Sequence, residues 1–283
     1  MFTLIHKNYR LVTRVFTLLV LLAANAQSQT PSITIPYSTY HSPAYANYYY
    51  EEVLKLALAK TEIRYGKTAI NFYPFVTGRE RQRAILKSNG GLDVIWSTSS
   101  HLRETQLLAV KFNLLRNLSN YKILLIRTED KEKFAKVKHL ADLRKFKAGT
   151  GSHWQDTQIL QKNDMPLVTS WDYEPMFKML AAKRFDYMIR GAQEIWAEVE
   201  QHQDLPIMAE QTLLIHYELP VHFFVNQKNV QLAERLKAGL EMAEKDGSLN
   251  TLFISLPAFK KGLDEAHNRQ RTQINMINAN SVN

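Results

Sequence analysis

Leu92-Asp93-Val94-Ile95-Trp96-Ser97-Thr98-Ser99-Ser100-His101-Leu102-Arg103-Glu104 passes from apolar residues through a hydroxyl run to charge within one short stretch. Residues 92–96 read as a buried strand. The hydroxyls that follow, Ser97, Thr98, Ser99 and Ser100, are poor strand or helix material but good hydrogen-bonding groups. Arg103 stands one helical turn after Ser100, where a guanidinium can grip a carboxylate through two nitrogens. The plain alternative is a helix cap followed by a surface arginine. A strand that ends in such a loop is the unit from which α/β folds are built, and the rest of the chain repeats it.

Upstream, residues 32–37 read as a strand and 47–60 as a helix with Tyr50, Val53, Leu54, Ala57 and Leu58 on one face. Residues 69–73 form a second strand and 78–88 a short helix that Asn89-Gly90-Gly91 terminates. The region up to Trp96 is thus a βαβαβ unit. Downstream, strands are expected at 121–126, 146–149, 166–170, 185–189 and 219–226, and helices at 154–163, 173–183, 192–203, 230–245 and 249–256. Alternation of this kind predicts an α/β fold with largely parallel strands. Residues 265–283 are polar and Asn-rich and read as a frayed tail, although Ile274 and Ile277 leave room for a short piece to pack.

Composition narrows the functional classes. The chain has 283 residues, 45% of them hydrophobic, which suits one large or two modest folded domains. The absence of cysteine excludes disulfide frameworks, thiolate zinc sites, iron-sulfur clusters, cysteine nucleophiles and lipidated cysteine anchors. Residues 1–26 contain Lys7, Arg10 and Arg14 but no acid, then an apolar run over 15–24 and the small-residue site Ala24-Asn25-Ala26. This is the pattern of a signal peptide cleaved after Ala26, which places the mature chain in the periplasm. A retained membrane anchor would need about 20 apolar residues, more than this run offers. Removal of the three basic residues lowers the formal charge from +9 to +6. The densest basic stretch, 131–138, has Glu129, Asp130 and Glu132 in or beside it, a solvated surface rather than a nucleic-acid site.

Several motifs fail on inspection. Gly66-Lys67-Thr68 lacks the earlier glycine of a phosphate loop, no Gly-x-Ser-x-Gly elbow exists, and the histidines form no helical His-x-x-x-His pair. No metal or cofactor and no catalytic residue is expected. The loop Ala148-Gly149-Thr150-Gly151-Ser152-His153-Trp154 says more, because it runs from a strand end into a helix start. Thr150, Gly151 and Ser152 would offer backbone and hydroxyl donors to an anion while Trp154 walls the site. The alternative is an ordinary turn in which Ser152 caps the helix.

The order of these pieces resembles bacterial extracellular solute-binding proteins of family 3. The resemblance rests on residues 92–96, the Ser-x-x-Arg of Ser100 and Arg103, the strand 121–127, Asp142-Leu143, Gly149-Thr150-Gly151, residues 173–179, Arg184-Phe185-Asp186, and 222–253 with Asp246-Gly247-Ser248. It covers nearly the whole mature chain. It implies a type II periplasmic-binding-protein fold, two α/β lobes with mixed, mostly parallel sheets joined by a two-strand hinge. Residues 27–116 with 218–283 would form the first lobe and 117–217 the second, closing on a small ligand. No catalytic role is implied.

By the same resemblance, Arg103 matches the arginine that grips a ligand carboxylate, with Ser97, Ser99 and Ser100 donating beside it. Thr150 and Gly151 match the loop that closes from the second lobe. Where amino-acid binders place an acid after the strand 185–189, this chain has Arg190-Gly191, which favours an anionic ligand over an ammonium. Glu194, one turn on, is a substitute acid, and Tyr37, Tyr40, Tyr45 and Tyr48 are candidates for stacking. The expected function is capture of a small carboxylated or anionic ligand by a monomer serving an inner-membrane ABC-type permease. A ligand-sensing partner of a membrane receptor is the second reading. A dehydratase-type enzyme, with Glu194, His153 and Asp156 as acid-base groups, is the third.

Overall fold

The computed structural model describes residues 30–37 and 46–278, so the expected export signal, Tyr40 and Tyr45 lie outside the described residues. In chain order, β1 (Ser32–Ile35) leads to α1 (Ala46–Lys60), β2 (Ala69–Phe72), α2 (Arg79–Lys87), β3 (Ile95–Thr98), α3 (His101–Gln106) and β4 (Leu108–Val110). The middle of the chain contributes β5 (Tyr121–Arg127), β6 (Ala148–Gly151), α4 (Gln155–Lys162), β7 (Leu167–Ser170), α5 (Pro175–Ala181) and β8 (Tyr187–Gly191). Then follow α6 (Ile195–Gln201), β9 (Ile207–Ala209), β10 (Leu213–His216), β11 (Val221–Val225), α7 (Val230–Lys245), α8 (Ser248–Ser255), α9 (Pro257–Ala266) and β12 (Thr272–Asn275).

Two groups of strands result. β1 pairs parallel with β2, and β11 lies antiparallel between β3 and β4. Backbone bonds from Asp93 and Val94 to the Thr34 carbonyl knit these two small sheets together. The second group is one sheet in the order β12-β10-β5-β8-β6-β7, with β9 also on β5. Within it β6 runs parallel to β7 and β8, and β5 antiparallel to β8, β9 and β10. β5 is apolar from Ile123 to Ile126 because both its faces are covered: Ile123 and Leu125 enter one core cluster, Leu124 and Ile126 another.

The helices follow their periodicity. Tyr50, Val53, Leu54, Ala57 and Leu58 of α1 are all buried, as are Leu232, Leu236, Leu240 and Ala243 of α7. The two helices touch at Gly239, where an added Cβ would fall 2.1 Å from the Ala57 carbonyl oxygen. After α2, Asn89 adopts φ 57° and Gly91 φ 97°, the left-handed positions that end the helix.

The strand groups communicate through two adjacent segments. Tyr217 N donates to the Asn120 carbonyl at 3.1 Å and Leu219 N to Asn120 Oδ1 at 3.0 Å. Leu114 N donates to the Val221 carbonyl at 2.9 Å. The polar tail expected over 265–283 is corrected in part. α9 runs into it, and β12 adds parallel to the open edge of β10, burying Ile274 and Met276. Ile277 stays exposed, but its backbone N and carbonyl both bond the Asn163 side chain, at 3.0 and 2.8 Å.

Candidate functional site

A cleft of about 580 Å³ opens between the two strand groups. Its first wall comes from α1, α2, β3 and Arg103. Its second comes from β8, α6 and the turn into α4.

β3 begins three residues later than the sequence suggests and takes in part of the hydroxyl run, because Ser97 and Thr98 pair with His222 and Val221 of β11. This sorts the hydroxyls. Ser97 and Thr98 line the cleft. Ser99 and Ser100 do not: Ser99 is buried with its hydroxyl donating to Glu104, and Ser100 caps α3 by accepting from Arg103 N at 3.4 Å. Arg103 turns back to the strand end and donates to the carbonyl and hydroxyl of Thr98, at 2.7 and 2.5 Å. Burial, reinforced by the neighbouring charge of Arg83, lowers its pKa to about 10. It pairs with no side-chain carboxylate.

Arg79, at the start of α2, is the second arginine of this wall. It donates to the Trp96 carbonyl at 3.3 Å and to Asn47 Oδ1 at 3.2 Å, and Asn47 Oδ1 also accepts from Trp96 Nε1 at 3.1 Å. Tyr50 stacks on Trp96 with ring centroids 5.6 Å apart. None of Asn47, Tyr50, Arg79 and Trp96 was singled out as a site residue from the sequence. Arg79 directly follows the loop after β2, the same kind of position that drew attention to Arg103.

On the second wall β6 extends through Gly151, so Thr150, Gly151 and Ser152 do not line the cleft. Thr150 is buried and its hydroxyl lies 2.9 Å from that of Thr157, which itself donates to the Gly151 carbonyl at 2.6 Å. A Cβ on Gly151 would fall 2.3 Å from Trp154 Nε1, so this glycine makes room for the indole. Ser152 does not cap α4, whose N-cap position is Trp154. His153, Trp154, Gln155 and Asp156 face the cleft instead. Tyr37 lies outside it, edge-on to Phe72 at 6.2 Å.

Arg190 lines the cleft but is already engaged. Its Nε donates to Glu198 Oε1 and Oε2 at 2.9 and 2.7 Å, and Nη2 donates to Glu194 Oε2 at 3.2 Å. Trp154 and Tyr173 flank the guanidinium at 4.8 and 5.3 Å, and Tyr173 donates to Glu198 Oε1 at 2.6 Å. Burial opposes the charge, but Glu198, Tyr173 and Glu194 outweigh it and hold the pKa above its ordinary value. The expectation that Arg190 repels an ammonium and attracts an anion is therefore corrected: its charge is spent on two carboxylates. Glu194 keeps Oε1 free of hydrogen bonds from the described residues. Asp156 accepts from the Tyr217 hydroxyl and lies 3.7 Å from Lys122 Nζ.

The walls carry opposite charge. Arg79 and Arg103 face Glu194 and Asp156, and the fields reach across, since Glu194 acts on Arg79 and Asp156 on Arg103. Among the described residues no group of His, Cys, Asp and Glu is placed to hold a metal ion, and no helix is long and apolar enough to cross a membrane.

No family model matches this chain, and no curated protein does. Solved structures do. An ancestral arginine-binding protein bound to glutamine superposes with a TM-score of 0.60 at 16% identity, covering 81% of this chain and 98% of that one. A histidine kinase sensor domain with similarity to periplasmic binding proteins gives 0.59 at 16% identity over 81% and 97%. An ancestral amino acid-binding protein, a precursor of cyclohexadienyl dehydratase, gives 0.59 at 13% identity over 80% and 95%. The chain has the type II periplasmic-binding-protein fold that the resemblance implied.

Proposed function

We propose that this chain is an exported, monomeric solute-binding protein that closes two lobes on a small zwitterion, an α-amino acid or a close relative. The lobes would be residues 27–116 with the return segment from 218, and 117–217 with β12 added at the sheet edge. Segments 113–120 and 217–221 would form the hinge. The observation that carries this reading is the charge opposition across the cleft. Arg103 has no carboxylate partner on one wall, and Glu194 has a free oxygen on the other. A ligand carboxylate on Arg103 and its ammonium on Glu194 satisfy both at once, and only with the lobes closed, so binding stabilises closure. Trp96, Tyr50 and Trp154 supply apolar walls for the rest of the ligand.

Two of the three acid-base candidates are engaged, which favours a binder: Asp156 is tied to Tyr217 and Lys122, and the His153 ring stacks on Trp171 at 6.1 Å, while Glu194 is left for the ligand ammonium. Delivery to an inner-membrane ABC-type permease is the expected use of the bound ligand. The likeness to a sensor domain supports a second use, signalling ligand state to a membrane receptor. Titration calorimetry across the standard L-amino acids tests the binding, and Arg103→Ala should weaken the best ligand by about tenfold or more, about 1.4 kcal/mol. Turnover of a bound prephenate-like acid would replace the binder with an enzyme.

A further inference from the structure

A zwitterion leaves Arg79 in the cleft without an ion-pair partner. Arg83 is paired with Glu80, Arg190 with Glu198 and Lys122 with Asp156, while Glu174 lies 3.2 Å from His202 Nε2. Once a ligand carboxylate meets Arg103 and its ammonium meets Glu194, Arg79 remains a cation without an anion. Among the described residues no side-chain carboxylate forms an ion pair with it. Every Asp and Glu of the sequence falls within the described residues, and none lies within 4.0 Å of the Arg79 guanidinium.

The arginine is also held in place rather than free to sweep solvent. Its two bonds, to the Trp96 carbonyl and Asn47 Oδ1, fix the guanidinium 5.9 Å from the Trp96 ring, and the Trp96 indole fixes Asn47 in turn. A guanidinium carries five N–H donors, and these two bonds engage one on each terminal nitrogen. Arg79 is exposed along the cleft, and desolvation lowers its pKa against the opposing fields of Tyr50 and Glu194. Arg83, one turn along the same helix, has its acid at hand. The helix thus neutralises Arg83 and leaves Arg79 open.

We infer that the ligand carries a second acidic group and that Arg79 receives it, so the preferred ligands are α-amino acids with an anionic side chain. The inference rests on the amino-acid reading of the cleft, with Arg79 setting specificity and Arg103 and Glu194 setting the zwitterion requirement. A guanidinium prepositioned for a carboxylate discriminates against the isosteric amide, which brings no charge to it.

The test is calorimetry with L-glutamate, L-aspartate, L-glutamine and L-asparagine, using the wild type and Arg79→Gln. Each acid should bind the wild type at least about tenfold more tightly than its amide. In Arg79→Gln that preference should fall to within about threefold, because the acids lose more affinity than the amides. Melting curves of the variant matched to wild type show that the fold is retained. Amides binding as tightly as acids, or an acid preference unchanged in Arg79→Gln, would overturn the inference and leave the amino-acid reading standing. Failure of every standard amino acid to bind would overturn both.

Discussion

Arg190 and Glu198 form a two-point ion pair inside the cleft, with the arginine Nε 2.9 and 2.7 Å from the two carboxylate oxygens. The pair determines what the second wall can do. It removes Arg190 from the search for a ligand anion and leaves Glu194 with a free oxygen toward the cleft. Glu198 is 6% exposed, and without it Arg190 would keep only the single contact to Glu194. Glu198→Gln should cost about 3 kcal/mol of stability, the range for breaking a buried pair. Urea denaturation measures this; a loss below about 1 kcal/mol would show that the pair is not what holds Arg190.

Ser100 should act on stability alone. Ser100→Ala removes the cap of α3 and should cost about 1 kcal/mol of stability, with ligand affinity unchanged. The hydroxyl does not face the cleft. A large drop in affinity at full stability would return Ser100 to the site.

The alternation of strands and helices was legible in the sequence because buried strands are short apolar runs and the long helices carry clear faces, as α1 and α7 do. The short strands β4, β9, β10 and β12 were not. Each has three or four residues, too few to show a period, and β12 owes its place to the free edge of β10. Within the site, Ser97, Arg103, Trp154, Arg190 and Glu194 were legible from their positions after strands. The partners of Arg190 were not, because Glu198 lies one helix further along and its reach depends on how α6 packs. Arg79 was hidden for a similar reason: its lack of an acid is a property of the folded neighbourhood, visible only once all carboxylates are placed.

Acid should weaken the fold through His222. The ring is 7% exposed, and its Nδ1–H donates to the Phe112 carbonyl at 2.7 Å. Burial lowers its pKa below the ordinary value of 6.5. Above that value neither state binds the proton and the residue contributes no pH dependence. As the pH falls below it, the unfolded chain is protonated first, so stability is lost until the folded ring also takes up its proton. Denaturation midpoints from about pH 7 to about pH 5 should fall less steeply in His222→Gln than in wild type. Equal slopes would contradict the assignment.

Arg271 fastens the C-terminal strand. It is 8% exposed, pairs with Glu265 at 2.6 Å, and donates to the carbonyls of Glu210 and Leu213, both at 2.9 Å. Arg271→Ala should cost about 3 kcal/mol. Hydrogen exchange should rise first along β12 and β10; exchange confined to the last residues would mean that the strand is held from elsewhere.

The central claim is that the cleft binds an α-amino acid through Arg103. Calorimetric titration of wild type and Arg103→Ala with the tightest-binding standard L-amino acid tests it most directly. The account predicts saturable one-to-one binding that Arg103→Ala weakens by about tenfold or more. Equal affinity in the two proteins, or no binding of any standard amino acid by the wild type, would contradict it.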